Sequence, residues 1–244
     1  SFVRKSIKNS DYFKRLEEFF LWLEEIKDQT KLVNSYDLIK WNIDKHYLKD
    51  LQGEGIQIVP TFFADKNCAK SLDNISRINK WPDLVIKPAI SASAFKTYKI
   101  LNGEINAKEK LFQELVHQRD MLIQPYIKTI EEFGEASLMV FDGNFTHAVL
   151  KKAKPGDFRV QDDFGGTVNS YDPTKEEILF ASSLIEISLP EPTFKIVKGL
   201  LFLSFGAFFE FGSQFSNAKT TASPRSSTCR NSRKGLPVPQ HLTE

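Results

Sequence analysis

"DLVIKPAISASAFKTY" (Asp83–Tyr98) decides how the chain is read. Its apolar run predicts a short buried strand that ends at Lys87-Pro88. A loop of mostly tiny side chains follows, and then a second strand-like run, "TYKIL". Lysine is costly to bury unless its ammonium meets an anion. At the end of a rigid strand it can deliver a point charge to a phosphate. Small residues behind it let main-chain N–H groups approach the same anion. The plainer reading is a lysine snorkelling from a strand end beside an ordinary loop.

Working outward, "GIQIVPTFF" reads as a strand with a Pro-Thr bend, and "NKWPD" as a turn. Upstream, Ser10 is placed to cap a helix with Phe13, Leu16, Phe19, Phe20, Leu23 and Ile26 along one stripe. Asp37 to Leu51 predicts a helical pair broken near Asn42 and stopped by Gly53 and Gly55, with Lys45 on a helix. Trp22 and Trp41 are read as core. Downstream, Asn106 is read as the cap of a helix reaching Gln118, and "MLIQPYI" as a strand broken by Pro125. "SLMVFDGNFTHAVLKK" is the clearest local signal, two apolar-rich strands joined by a tight Asp142-Gly143 turn. "DPTKEEILFASSLIEI" opens as a helix with Pro173 behind Asp172.

Bulk properties narrow the function. A chain of 244 residues with 41% hydrophobic content can bury a sizeable core. A net charge of +2 gives no field that would favour nucleic acid or an anionic membrane. Cys68 and Cys229 are far apart and outside any CxxC pattern, so a disulfide or zinc framework is not expected and a reducing, cytoplasmic setting is. His46, His117, His147 and His241 form no metal-binding spacing and receive no catalytic role; His147 lies in a strand pattern. "GLLFLSFGAFFEFG" is too short to span a bilayer and carries Glu210.

In order along the chain stand "WNIDKHYL", "KPAISA", "LIQPYI" and "FGEASLMVFDGNFTHAVLKKAKPGDFRVQDDFGGTV". This set resembles the ATP-grasp superfamily, in its glutathione-synthetase-like branch and nearest the type of the cycloserine-forming cyclo-ligase. The resemblance runs from about Asp11 to Ile185. It implies an α+β fold in which two α+β lobes clamp a nucleotide. It also implies carboxylate–amine ligase chemistry through an acyl phosphate, with ATP and magnesium as cofactors and a small amino-acid-like carboxylate as substrate.

By the same resemblance, Lys45 and Lys87 match paired lysines on the α- and β-phosphates. Ser91, Ala92, Ser93 and the residues to Phe95 match a phosphate-covering loop, with Thr97 as a hydroxyl donor. Gln124, Tyr126 and Ile127 match the hinge that meets adenine, and Glu135 the acidic residue on the ribose hydroxyls. Lys151 and Arg159 match catalytic basic residues near the transferred phosphate and acyl group. Bringing a carboxylate to an anionic γ-phosphate needs several fixed cations, and Arg159 offers a planar fork that lysine cannot copy. Gly156, Gly165 and Gly166 suit turns that bring backbone close to such groups.

Plainer readings stand beside these. Lys45 could be a solvated helix lysine, and Glu135 could flank a turn after Gly134. Lys151 and Lys152 could guard an edge strand. Arg159 could pair with Asp162 or Asp163 at the surface.

The family pattern breaks at both ends. The start lacks Met and is read as a cut into a longer protein, with residues 1–60 a remnant of a preceding domain plus linker helices. Residues 61–190 are assigned to the nucleotide-binding lobes. Residues 191–244 are rich in Phe, Ser, Thr and basic residues and are read as a disordered tail. The family's magnesium ligands are expected on strands after the helix near residues 174–187, as an apolar strand with Asp and then an "ELELIEP"-like strand. After Glu191 there is no Asp, and only Glu210 and Glu244. Glu186 and Glu191 are poor substitutes, so the metal ligands stay unassigned. The altered end points to a frameshift, a mis-predicted exon or a gene fragment. The alternative function is a nucleotide-binding module without catalysis.

Overall fold

The computed structural model describes residues 15–32, 34–92, 94–141, 143–160, 164–187 and 228–229. Helices α1 (Leu16–Ile26), α2 (Tyr36–Ile43) and α3 (Tyr47–Gly53) precede strand β1 (Phe62–Ala64). Helix α4 (Leu72–Asn79), strands β2 (Leu84–Pro88) and β3 (Tyr98–Ile100), helix α5 (Ile105–Gln118) and strand β4 (Met121–Pro125) follow. The short helix α6 (Thr129–Glu132) leads into β5 (Glu135–Phe141), β6 (Asn144–Lys152), β7 (Thr167–Tyr171) and helix α7 (Lys175–Ile187). Thr228–Cys229 form β8. The chain is α+β, with one sheet in the order β3-β2-β4-β1-β8 and a second in the order β5-β6-β7.

Period-2 alternation gives the first sheet two different faces. Leu84 and Ile86 of β2, Phe62 and Ala64 of β1, and Met121 and Ile123 of β4 point to one side. They pack there with Leu72 and Ile75 of α4 and with Phe112, Leu115 and Val116 of α5. Fully burying such a side chain stabilises the fold by roughly 1.5–3 kcal/mol, so this layer fixes the register. Register in turn sets the other face, where Lys87 pairs with Leu122, Val85 with Gln124 and Phe63 with Leu122. Phe63, Ala89 and Leu122 make a small second cluster there, covered by Leu48 of α3.

The predicted hairpin forms, with Phe141 opposite Asn144 and a left-handed Gly143 (φ 77°). Its Ala136, Leu138, Val140 and Ala148 pack on Ala181 of α7 and on Leu38 of α2. Glu135, Ser137 and Met139 therefore lie on the opposite face. The α2–α3 segment thus touches both sheets, Leu38 on the hairpin and Leu48 on the first sheet.

Several expectations are corrected. Trp22 and Trp41 are half-buried rather than core, and the Trp41 indole N–H donates to Asp50 (2.7 Å). Only Leu23 of the α1 stripe is buried, and Ser10 and Phe13 lie outside the described residues. Asn106 does not cap α5, which starts one residue earlier; Glu104 instead accepts from Leu101 N–H behind that start. Of "GIQIVPTFF", only Phe62 and Phe63 enter a strand. At α7 the signal that operates is Thr174-x-x-Glu177, whose side chains and main-chain N–H groups bond reciprocally (2.7 and 3.2 Å). Of the tail, only Thr228–Cys229 are described, paired in parallel with β1.

Candidate functional site

Lys45 sits in the turn between α2 and α3, not on a helix. Asp44 makes an isolated bridge to Ile90, and Lys45 N–H donates to Ala89 O (3.0 Å), so the turn is clipped to the end of β2. Its ammonium folds inward and donates to Ser91 O (3.0 Å), Ser91 Oγ (3.1 Å) and Ala89 O (3.2 Å). All three acceptors are neutral. Burial, with Lys87 close by as a second cation, lowers the Lys45 pKa to about 7. The solvated-helix reading of this lysine is overturned.

Lys87 projects from the last turn of β2 on the face opposite the apolar core. Its enclosed ammonium also has a lowered pKa, first from burial, with Glu135 pulling it back. Glu135 opens β5, directly opposite Lys151 of β6 in the hairpin register. Lys151 Nζ lies 3.6 Å from Glu135 Oε1. Burial raises the Glu135 pKa, while Lys151 and Lys87 oppose it. Lys45, Lys87, Glu135 and Lys151 therefore form one chain of interacting charges that crosses from the first sheet to the second. Glu135 Oε1 and Ser137 Oγ, on the same face of β5, are buried without a hydrogen-bond partner. Ser137 was not singled out from sequence, although its two-residue spacing from Glu135 puts it on that face.

Gly134 brings Glu135 to Lys151. It has a positive φ of 112°, and a Cβ there would lie 2.5 Å from Lys151 O. Glycine is what allows β5 to start this close to β6. Because β6 is the middle strand of its sheet, the edge-guard reading of Lys151 and Lys152 also fails.

The loop after β2 holds two non-glycine residues with positive φ, Ala94 (52°) and Lys96 (50°). Phe95 N–H donates to Ala92 O (2.9 Å) and Thr97 N–H to Ala94 O (3.0 Å), so successive tight turns follow Ser91. Ser93 lies outside the described residues.

Near the end of β4, the buried Gln124 shares the Lys87 face and donates to Thr61 Oγ1 (2.7 Å). Tyr126 N–H is committed to Asp83 O (2.8 Å). The Tyr126 hydroxyl bonds Glu131, and Lys99 lies 4.0 Å from the ring centroid while pairing with Glu131 (2.7 Å). Ile127 is buried.

Arg159 stands apart from this cluster. Its partner is Asp157, through Nε–Oδ1 (3.0 Å) and Nη2–Oδ2 (2.7 Å), and its guanidinium lies 3.7 Å from the centroid of Phe164. Asp162 and Asp163, the partners weighed from sequence, lie outside the described residues. The pairing holds the Asp157 carboxyl well below its usual range and raises the guanidinium. Neighbouring Phe158 meets Tyr126 edge-on (6.3 Å), so this loop leans on the chain just past β4.

The cluster suits a polyanion that touches both sheets. The Lys45 and Lys87 ammonium groups lack a full complement of counter-charge, and Glu135 Oε1 and Ser137 Oγ are left without hydrogen-bond partners. Among the described residues, no group of three His, Cys, Asp or Glu converges as a metal site. No described helix is long and apolar enough to cross a membrane.

Known proteins share the fold. No protein-family model matches the chain. A cycloserine biosynthesis protein, DcsG of Streptomyces lavendulae, is 26% identical over 143 residues, covering 57% of this chain and 48% of the relative. The chain thus spans about half the length of the curated relative it matches. The crystal structure of the D-cycloserine synthetase DcsG superposes with a TM-score of 0.62 at 22% identity, over 73% of this chain and 62% of that one. A D-alanine–D-alanine ligase from Bacillus anthracis is more distant, with a TM-score of 0.46 at 17% identity over 60% and 48%. The shared architecture gives the chain the fold of that synthetase, an ATP-grasp fold.

Proposed function

We propose that the chain carries the nucleotide-binding part of an ATP-dependent ligase that joins a small amino-acid-like carboxylate to an amine or similar nucleophile. In this reading residues 61–190 are the nucleotide lobes and residues 1–60 include the helices that link them to a preceding domain. The observation that carries it is the Lys45–Lys87–Glu135–Lys151 chain of charges, which runs from one sheet to the other and leaves two ammonium groups short of counter-charge. A triphosphate supplies the missing negative charge, and each charge-assisted contact contributes about 1.5–3 kcal/mol.

Lys45 and Lys87 then hold the α- and β-phosphates, with Ser91, Ala92, Ser93 and Thr97 over them. Gln124, Tyr126 and Ile127 border the base, and Glu135 takes the ribose hydroxyls. A carboxylate oxygen attacks the γ-phosphorus and ADP leaves. The nucleophile then attacks the acyl carbon and inorganic phosphate leaves. Lys151 offsets charge on the transferred group. Arg159 joins it only after its fork opens from Asp157. Magnesium belongs to the family chemistry and would bridge the phosphates; its protein ligands stay unassigned.

Calorimetric titration with ATP and ADP tests the binding half: micromolar affinity that collapses in Lys87→Met supports it, and heat signals identical in the two proteins refute it. Release of ADP that requires an added carboxylate and amine tests the ligase half. Binding without such release identifies a nucleotide-binding module instead.

A further inference from the structure

We propose that Asp44 and His46 are a positioning pair for Lys45, so that the polyphosphate affinity of the cleft depends on whether His46 carries a proton. This rests on the nucleotide reading above and adds a residue outside the phosphate contacts.

One carboxylate oxygen closes the turn around Lys45. Asp44 Oδ1 accepts from His46 N–H (3.0 Å) and lies 2.7 Å from His46 Nδ1. The imidazole stacks on Phe63 at 5.5 Å and 27°, on the sheet face that also carries Lys87. Lys49 approaches the same Phe63 ring to 4.5 Å. The main chain adds the Asp44–Ile90 bridge and the Lys45 N–H to Ala89 O bond. Lys45 is therefore presented by a turn pinned to the end of β2, to Phe63 and to itself.

The charged groups around the imidazole are Asp44 and Asp120, which favour the imidazolium, and Lys49, which opposes it. The first of these dominates, so the His46 pKa is raised. With His46 protonated, the contact to Asp44 is a charge-assisted pair that holds the turn. As pH rises through the folded-state pKa, the ion pair is reduced to a hydrogen bond from neutral imidazole to the Asp44 carboxylate, and the turn loosens. Lys45 then delivers its ammonium less well, and one positive charge near the phosphates is lost.

ADP dissociation constants between about pH 6 and pH 8.5 test this in the wild type, His46→Gln, His46→Arg and Lys87→Met. Titration of ADP and of Lys45 is common to the first three and largely cancels in ratios. His46→Gln should bind about three- to fivefold more weakly than wild type near pH 6 and equally near pH 8.5, the size of a partly exposed ion pair. His46→Arg keeps a cation on Phe63, so it should match wild type at low pH and bind more tightly by a similar factor at high pH. A His46→Gln ratio that does not change with pH, or no loss near pH 6, overturns the pair. His46→Arg failing to restore affinity does the same, even where His46→Gln folds poorly. Wild type that binds no ADP, or Lys87→Met that binds it as well, overturns the nucleotide reading itself.

Discussion

The Lys45–Lys87 cluster and the Arg159 loop treat their cations in opposite ways. In the cluster, two ammonium groups are enclosed, Lys45 by neutral acceptors, and both have lowered pKa values. In the loop, a guanidinium is matched in a fork by Asp157, lies over Phe164, and has a raised pKa. An under-compensated cation in an enclosed site is held there by the surrounding fold and gains when an anion arrives. A compensated one has little to gain unless its partner lets go. The first region thus has more to gain from an arriving anion than the second.

Removing the deeper cation should break that contrast most severely. Lys87→Met is expected to weaken ATP and ADP by about 100-fold, since charged hydrogen bonds contribute about 1.5–3 kcal/mol each. The melting temperature without nucleotide should hold or rise, because a desolvated charge has gone. Binding lost together with several degrees of melting temperature would show instead that the lysine is structural.

Gly134→Ala attacks the same region through the backbone. Its Cβ would meet Lys151 O at 2.5 Å from a left-handed backbone. We expect about 2 kcal/mol of destabilisation in urea melts and weaker nucleotide binding as Glu135 and Lys151 separate. Unchanged stability would mean that β5 and β6 part without cost.

The Lys45 pKa of about 7, below its ordinary 10.5, makes pH a sharper probe. Between those values the unfolded chain binds more protons at this lysine than the folded one, so its contribution to stability rises with pH from about 7 upward. Nucleotide affinity should move the opposite way, falling by at most about tenfold per pH unit above 7. Lys45→Met should flatten both trends, measured by chemical denaturation and by titration. Trends that persist unchanged in the variant would place the titration elsewhere.

The smallest effect belongs to the loop. Asp157→Asn frees the Arg159 fork but removes a partly exposed ion pair, so stability should fall by no more than about 1 kcal/mol. ADP binding should stay at the wild-type level. A large loss of ADP affinity would show that the loop already belongs to the binding cluster.

Much of this was legible in the chain before folding. The run around Lys87 and the Asp142-Gly143 hairpin gave strands legible from alternation and turn chemistry, which are local, and the ordered motifs carried a resemblance that implied the α+β fold the structure shows. The Thr174–Glu177 cap was equally local but passed unnoticed beside Pro173. Arg159's partner was sought among Asp162 and Asp163, although Asp157 is nearer in sequence, because spacing does not say which way a loop closes.

By itself the sequence determined which residue types were available and which strand face each would occupy, since a two-residue repeat fixes parity. Only the tertiary structure decided that Lys45, arriving from a turn more than forty residues upstream, folds its ammonium onto Ser91 beside Lys87. It also decided that Gly134 lets Glu135 meet Lys151. These are long-range approaches between elements whose own patterns are satisfied without them, and burial, which sets the pKa values, exists only once the elements have packed.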